Sequence, residues 1–108
     1  MTADEYSASA MVFRAPSLSK DDALLNSVMG LCGESGEAID HVKKARFHGH
    51  ALDREALVKE LGDVAWYLAE AAWALDVSLD EVLSKNLEKL QKRYPDGFSA
   101  ERSIHRTE

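Results

Sequence analysis

An all-α fold is predicted for this chain of 108 residues, and two observations carry the prediction. Apolar residues recur at steps of three and four through the long central part of the sequence, which is the period of an amphipathic helix. No stretch alternates apolar and polar residues as a half-buried strand would. The length suits one domain, residues 1–108, built from four or five helices.

The apolar stripe of the second predicted helix has a gap that indicates a close contact. The first helix is predicted over residues 3–14. Ser19 is a candidate N-cap for the second, predicted over residues 20–46. The apolar stripe of this second helix is interrupted at Gly33 and Gly36, and each glycine costs about 1 kcal/mol relative to alanine in a helix. We therefore expect a neighbouring helix or a ligand to approach closely there.

The third and fourth helices follow a short polar loop. Asp53 is a candidate N-cap for the third, which is predicted over residues 54–75. This helix is apolar over much of its circumference in its second half, so we expect it to be central or shared with another subunit. Ser78 and Glu81 predict a capping box at the start of the fourth. The turn that begins at Pro95 ends that helix. Residues 99–108 are predicted to be a polar, flexible tail.

Composition argues against several classes of function. A formal net charge of −6 is unlike that of a general nucleic-acid binder, which is normally basic. No apolar run approaches the roughly 20 residues of a membrane helix, and the acidic, polar start does not resemble a signal peptide. The single cysteine, Cys32, cannot form an internal disulfide and is expected to be a small buried residue. We expect a cytoplasmic protein that binds neither nucleic acid nor membrane.

Two pairs of carboxylates form the candidate metal site. Glu34 and Glu37 lie three residues apart in the second helix, and Glu60 and Asp63 lie three apart in the third. Residues at this spacing share one face of a helix. Four carboxylates gathered between two helices repel one another unless a cation lies among them, and oxygen ligands suit Mg²⁺, with Mn²⁺ as the alternative.

A redox di-iron centre is not indicated. Such a centre in a helical bundle uses Glu-x-x-His pairs, and the sequence contains none. His41 follows Glu37 by four residues instead of three. We assign His41 to the surface or to the surroundings of the metal site.

A cationic face on the fourth helix is the candidate phosphate-binding surface. Its members recur at steps of three and four and are followed by an aromatic residue: Asn86, Lys89, Arg93 and Tyr94. Such a face is commonly only solvated, but next to a metal it can bind phosphate oxygens. The loop at residues 47–52 is the second choice for a phosphate contact.

The acidic motifs resemble those of a known family. The words ESGE and ELGD, with 22 residues between them (38–59), are similar to the E-x-x-E, spacer, E-x-x-D signature of MazG-like nucleotide pyrophosphohydrolases of the all-α NTP pyrophosphatase superfamily. The flanking words GESGEAIDHVKK, ELGDVAWYL and KNLEKLQKRYPDGF agree, so the resemblance covers residues 31–98. Lys59 stands where many relatives carry a further glutamate, which leaves the four motif carboxylates intact.

The resemblance implies a fold, a metal site and a substrate site. The fold is a MazG-like bundle whose helices pair across subunits, in a homodimer or a homotetramer built as a dimer of dimers. The implied metal is Mg²⁺, or Mn²⁺, and its ligands are Glu34, Glu37, Glu60 and Asp63. The implied contacts to the nucleoside triphosphate come from Asn86, Lys89, Arg93 and Tyr94.

The activity that the resemblance implies is hydrolysis of a nucleoside triphosphate, in the first instance a deoxynucleotide, to the monophosphate and pyrophosphate, as in house-cleaning of the nucleotide pool. Either Glu34 or Glu37 would accept the proton of the attacking water. Trp66, one turn beyond Asp63, either stacks on the base or packs in the core or at an interface, as a helical tryptophan more commonly does. Two alternatives stay open: a phosphoribosyl-ATP pyrophosphohydrolase, and a non-catalytic helical module that binds nucleotides or a protein partner.

Overall fold

All regular structure in the described part of the chain is helical, which confirms the all-α prediction. The computed structural model describes residues 1–106. Its α-helices are α1 (Ala3–Ala10), α2 (Lys20–Phe47), α3 (Arg54–Ala74), α4 (Leu79–Arg93) and α5 (Ala100–Ile104), with a 3₁₀ turn at Met11–Phe13 after α1. Within residues 1–106, no helix is both long and apolar enough to span a membrane.

Side-chain caps explain where the helices begin. Ser19, Asp53 and Ser78 each accept a hydrogen bond from a backbone N–H three residues later, as the sequence predicts. The reciprocal capping box, however, is formed by Thr2 and Glu5 at the start of α1. At Ser78 the structure shows the serine half of the box, in which the hydroxyl accepts the N–H of the third residue along at 3.0 Å.

Helix α5 occupies part of the segment that the sequence predicted as a flexible tail. Ser99 caps this single helical turn by accepting the Arg102 N–H at 3.3 Å. The cap is local and polar, and no apolar periodicity accompanies it, so the hydrophobic pattern contained no signal for the helix. Of the predicted tail, residues 107 and 108 lie outside the described residues.

Helices α2 and α3 form the main packed pair, and they run antiparallel. Asn26, near the start of α2, bonds Glu70 near the end of α3, whereas Glu37, further along α2, lies against Glu60 in the first half of α3. The two helices therefore point in opposite directions. The close approach between them is at Gly30, where a Cβ would overlap the Tyr67 ring. The sequence predicted that a helix or a ligand would come close at Gly33 and Gly36. Within residues 1–106 no helix does, because a Cβ at either position would meet nothing within 4 Å. The approach of a ligand there stays a prediction.

The N-terminal segment is held onto the C-terminal half of α3. The Trp66 indole Nε1 donates a hydrogen bond to the Ala10 carbonyl oxygen at 3.0 Å. The Arg14 guanidinium carbon and the Lys20 ammonium nitrogen each lie 3.8 Å from the centroid of the Trp73 ring, as cation–π contacts. These contacts carry α1 and the turn after it toward the face of α3 that bears the acidic motif.

The buried core of a single chain is small. Its buried apolar residues are mostly alanines: Ala10, Ala23, Ala69, Ala72, Ala74 and Leu79. The radius of gyration is 16.9 Å, whereas a compact domain of this length would have about 13 Å. Cys32 is exposed, contrary to the sequence prediction. Val28 and Met29, two of its apolar neighbours along the chain, are exposed as well.

Candidate active site

Three of the four predicted ligands form one acidic cluster between α2 and α3. Carboxylate oxygens of Glu34, Glu37 and Glu60 all lie within 4.8 Å of one another. Glu34 and Glu37 are neighbours because they are one turn apart on α2. Glu60 reaches them from α3 because the two helices are antiparallel. The i, i+3 spacing places the two carboxylates of α2 on one face, and the packing of α2 against α3 brings that face close to Glu60.

The cluster holds more negative charge than its surroundings balance. A hydrogen bond with Glu60, partial burial and the charges of the neighbouring carboxylates raise the pKa of Glu34 to about 7. A hydrogen bond with Glu60 is also the main reason why the pKa of Glu37 is raised. The Oε2 atoms of Glu34 and Glu60 are shielded from solvent and have no hydrogen-bond partner within residues 1–106. Orphaned, mutually repelling oxygens are the donor set that a hard divalent cation satisfies.

Asp63 lies beside this cluster but outside its innermost group. It is one turn beyond Glu60 on α3 and is exposed. Its charge contributes to raising the pKa of both Glu34 and Glu37, so it is close to each of them. His41 Nε2 lies 3.7 Å from Glu60 Oε1, which places the imidazole in the surroundings of the site.

A cavity of about 420 Å³ opens next to the acidic cluster. Two carboxylates and three aromatic side chains line it: Phe13, Glu34, Asp63, Trp66 and Tyr67. A volume of this size falls within the usual range for small-molecule sites. Its lining joins an acidic part, suited to a cation and the phosphates it binds, to an aromatic part suited to a planar ring.

The two acidic motifs lie within a region that matches a known protein family. The profile described as the MazG nucleotide pyrophosphohydrolase domain matches residues 23–98, which include both acidic motifs. The chain belongs to the MazG nucleotide pyrophosphohydrolase family. This membership confirms the resemblance carried by the two motifs.

One curated relative of this MazG chain is the Gene 37 protein of Mycobacterium phage L5. It is 46% identical over 69 residues, which are 60% of this chain and 60% of the phage protein. The chain thus matches less than two thirds of the relative's length. No solved structure gives a significant match.

The MazG match begins after α1, yet α1 lies against the acidic site. Burial and the charge of Asp63 raise the pKa of the Tyr6 hydroxyl, so this residue of α1 is near the motif aspartate. Phe13, in the turn that follows, lines the cavity. The sequence did not reveal either residue as part of the site. No helical spacing relates them to a motif, and only the fold of the N-terminal segment brings them there.

Two adjacent aromatic residues of α3 line the cavity. The rings of Trp66 and Tyr67 meet edge to face, with centroids 5.2 Å apart and planes at 89°. The Trp66 N–H donates a hydrogen bond to the Ala10 carbonyl oxygen. Trp66 therefore anchors the end of α1 and also lines the cavity. Tyr67 was not among the site residues predicted from the sequence, although it follows Asp63 by four residues and therefore shares its helical face.

The predicted phosphate-binding residues lie on and just after α4, which packs against α1 and α3. Asn86 and Lys89 are exposed, whereas Arg93 and Tyr94 are partly buried. The Arg93 guanidinium carbon lies 5.9 Å from the centroid of the Tyr94 ring. None of these four residues is among those lining the cavity. Within residues 1–106, the lining of this cavity therefore includes carboxylates of the predicted site but none of its four predicted phosphate-binding residues.

Proposed function

We propose that this MazG-family protein hydrolyses a nucleoside triphosphate, in the first instance a deoxynucleotide, to the monophosphate and pyrophosphate. The observation that carries the proposal is the acidic cluster opening into a cavity with aromatic walls. A nucleotide has the matching chemistry, since its phosphates bind a cation and its base presents a planar ring. A house-cleaning role in the cytoplasmic nucleotide pool is the biological function we propose.

The reaction depends on a divalent cation, Mg²⁺ or Mn²⁺. Glu34, Glu37 and Glu60 would hold it, with Asp63 as the fourth ligand from the side of the cavity. The shielded, unpartnered Oε2 atoms of Glu34 and Glu60 support this ligand set. When bound, such an ion neutralises phosphate charge and lowers the pKa of water.

Glu34 is our choice for the group that accepts the proton of the attacking water. The sequence left Glu34 and Glu37 as equal candidates. Glu34 lines the cavity, and Glu37 is not among its lining residues. A general base must come within hydrogen-bond reach of the proton that it removes. The water would attack the α-phosphorus, and pyrophosphate would leave.

The cationic part of the site comes from a second subunit in our proposal. Lys89 and Arg93 would neutralise the leaving pyrophosphate, but neither lines the cavity of its own chain. Large apolar side chains also stay exposed on two helices: Leu25, Val28 and Met29 of α2, and Leu83, Leu87 and Leu90 of α4. Contiguous exposed apolar surface marks an interface. A homodimer, or a tetramer built as a dimer of dimers, would cover these residues and complete the site.

The test is a panel of the four deoxynucleoside triphosphates with Mg²⁺ or Mn²⁺, in which pyrophosphate and orthophosphate are measured separately. We expect pyrophosphate and the monophosphate in equal amounts, and no product in EDTA. Orthophosphate alone, or nucleotide binding without turnover, would contradict the proposal. Phosphoribosyl-ATP is included because turnover of that compound alone would identify the alternative enzyme class.

Variants of the acidic motifs sharpen this test. Glu37→Gln and Asp63→Asn should each abolish turnover, because each removes a ligand charge without changing side-chain size. Glu55→Gln is the matched control, since this exposed glutamate lies on α3 outside the motif. Circular dichroism should show unchanged helicity in all three. Retained turnover in Glu37→Gln or Asp63→Asn would remove that residue from the site.

A further inference from the structure

We infer that Phe13 is the residue on which the base of the substrate stacks, so that the segment before the MazG domain takes part in substrate recognition. The inference rests on the proposed function and deepens it, because it assigns the binding of the base to a named side chain. Phe13 ends the 3₁₀ turn Met11–Phe13, ten residues before the matched region begins.

The position of the ring within the cavity is the first argument. Phe13 lines the same cavity as Glu34 and Asp63, so one bound molecule can contact the ring and the acidic motifs together. The side chain is 79% exposed. An isolated exposed phenylalanine is ordinary. A phenylalanine that borders a cavity next to the acidic cluster, however, has an aromatic face available to a ligand.

The availability of that face is the second argument. Of the three aromatic residues in the cavity, Trp66 and Tyr67 pack on each other edge to face and are only partly exposed. Trp66 also donates its N–H to the backbone of α1. Phe13 makes no ring-to-ring contact with another aromatic residue within residues 1–106. It is therefore the aromatic side chain of the cavity with the most surface left to cover.

The anchoring of the turn is the third argument. On one side of Phe13, the Ala10 carbonyl accepts the Trp66 hydrogen bond at 3.0 Å. On the other side, the Arg14 guanidinium lies on the Trp73 ring at 3.8 Å. Both anchors belong to α3, the helix that carries Asp63. Contacts on both sides of Phe13 thus set its distance from the acidic motif, which gives the ring the preorganisation that a binding group needs.

The chemistry of stacking predicts the kind of recognition. Every base has a π-face, so stacking on an aromatic ring adds affinity with little preference for sequence. Phe13 has no hydrogen-bonding group with which to read the edge of a base. We therefore expect it to distinguish nucleotides from base-free polyphosphates more than it distinguishes one base from another.

The experiment measures binding of two probes by calorimetry in Mg²⁺: α,β-methylene-dATP, which resists cleavage at the α-phosphorus, and inorganic tripolyphosphate, which has no base. Phe13→Leu keeps an apolar side chain but removes the π-face. We expect it to weaken binding of the nucleotide by about fivefold or more, in line with the loss of one base–aromatic stack. Tripolyphosphate affinity should stay within about twofold of the wild-type value, the scatter expected without a lost contact.

Two further variants separate stacking from a structural role. Phe13→Tyr retains the aromatic face and should restore nucleotide affinity. Val12→Ala changes the adjacent side chain, which is 74% exposed and does not line the cavity, and it should leave both affinities unchanged. In steady-state assays with dATP, Phe13→Leu should raise KM with little change in kcat, because stacking acts equally in the ground and transition states.

Each other outcome overturns the inference in a recognisable way. If wild-type protein binds neither probe, the proposed function fails together with the inference. If wild-type protein binds the nucleotide and Phe13→Leu leaves the preference over tripolyphosphate unchanged, the inference alone fails. If Phe13→Leu weakens both probes equally, or changes the sedimentation coefficient, the ring supports folding or a subunit contact instead of the base.

Discussion

At the scale of single residues, the closeness of three carboxylates is the main property of this site. Glu34 shares a hydrogen bond with Glu60 and has a pKa raised to about 7, while the pKa of Glu37 is raised for the same main reason. A raised carboxylate pKa means that the folded protein favours the protonated form. The sequence placed these residues on matching helical faces, but their mutual distances depend on the register of α2 against α3.

The metal-free protein should lose stability as pH rises. A glutamate in the unfolded chain releases its proton near the ordinary pKa of 4.5, whereas folded Glu34 keeps its proton until about pH 7. Between these values the folded state binds more protons, so the free energy of unfolding falls with increasing pH. Thermal melts in EDTA from pH 5 to 8 should show this fall, and Glu34→Gln should reduce it.

Added Mg²⁺ should counteract this loss, since it binds the deprotonated carboxylates. We expect the rise in Tm on adding Mg²⁺ to be larger at pH 8 than at pH 5. Glu55→Gln, an exposed carboxylate variant elsewhere on α3, should respond as the wild type does. An equal rise in Tm at both pH values would argue against an ion bound by the cluster.

At the scale of helices, local capping was readable from the sequence and helix contact was not. Ser19, Asp53 and Ser78 cap the helices that they were predicted to cap, because an N-cap bond joins residues only three apart. The close approach of α2 to α3 is at Gly30, and not at Gly33 or Gly36, where a helix or a ligand was expected. Which glycine faces the partner depends on how the two helices are rotated and aligned, and spacing along one chain does not specify that.

Gly30→Ala should destabilise the protein by about 1–3 kcal/mol, the usual cost of overpacking. A Cβ at this position would overlap the Tyr67 ring, which packs on Trp66 and cannot move freely. Gly33→Ala is the matched control, because its Cβ would meet nothing within 4 Å. That variant should be neutral or stabilised by up to about 1 kcal/mol. Urea unfolding measures both, and equal stability of the two variants would place the helix contact elsewhere.

At the scale of the whole molecule, the chain is too open to have buried its apolar surface alone. Its radius of gyration of 16.9 Å exceeds the roughly 13 Å of a compact domain of this length. Leu83, Leu87 and Leu90 recur at helical spacing on α4 and are all exposed. The sequence shows that this stripe is apolar. It does not show whether the stripe packs within the chain or against another.

Charging the α4 stripe should therefore separate the subunits. We expect the wild-type protein to sediment as a dimer or tetramer at micromolar concentration, and Leu83→Asp with Leu87→Asp to lower its mass to that of the 12.0 kDa chain. Glu88→Lys alters charge on another side of the same helix and should leave the mass unchanged. A wild-type protein that is monomeric at these concentrations would refute the shared site.

The sequence by itself determined helices α1 to α4, the N-caps of α2 to α4 and the two carboxylate pairs, because each depends on interactions between residues three or four apart. The two pairs, read as a motif, also pointed to the MazG family. Only the tertiary structure decided that Gly30 is the point of close approach, that Cys32 is exposed, and that Phe13 reaches the cavity beside Glu34. These facts follow from the antiparallel register of α2 and α3 and from the anchoring of α1. Both arise from packing between residues far apart in the chain, which local spacing does not encode.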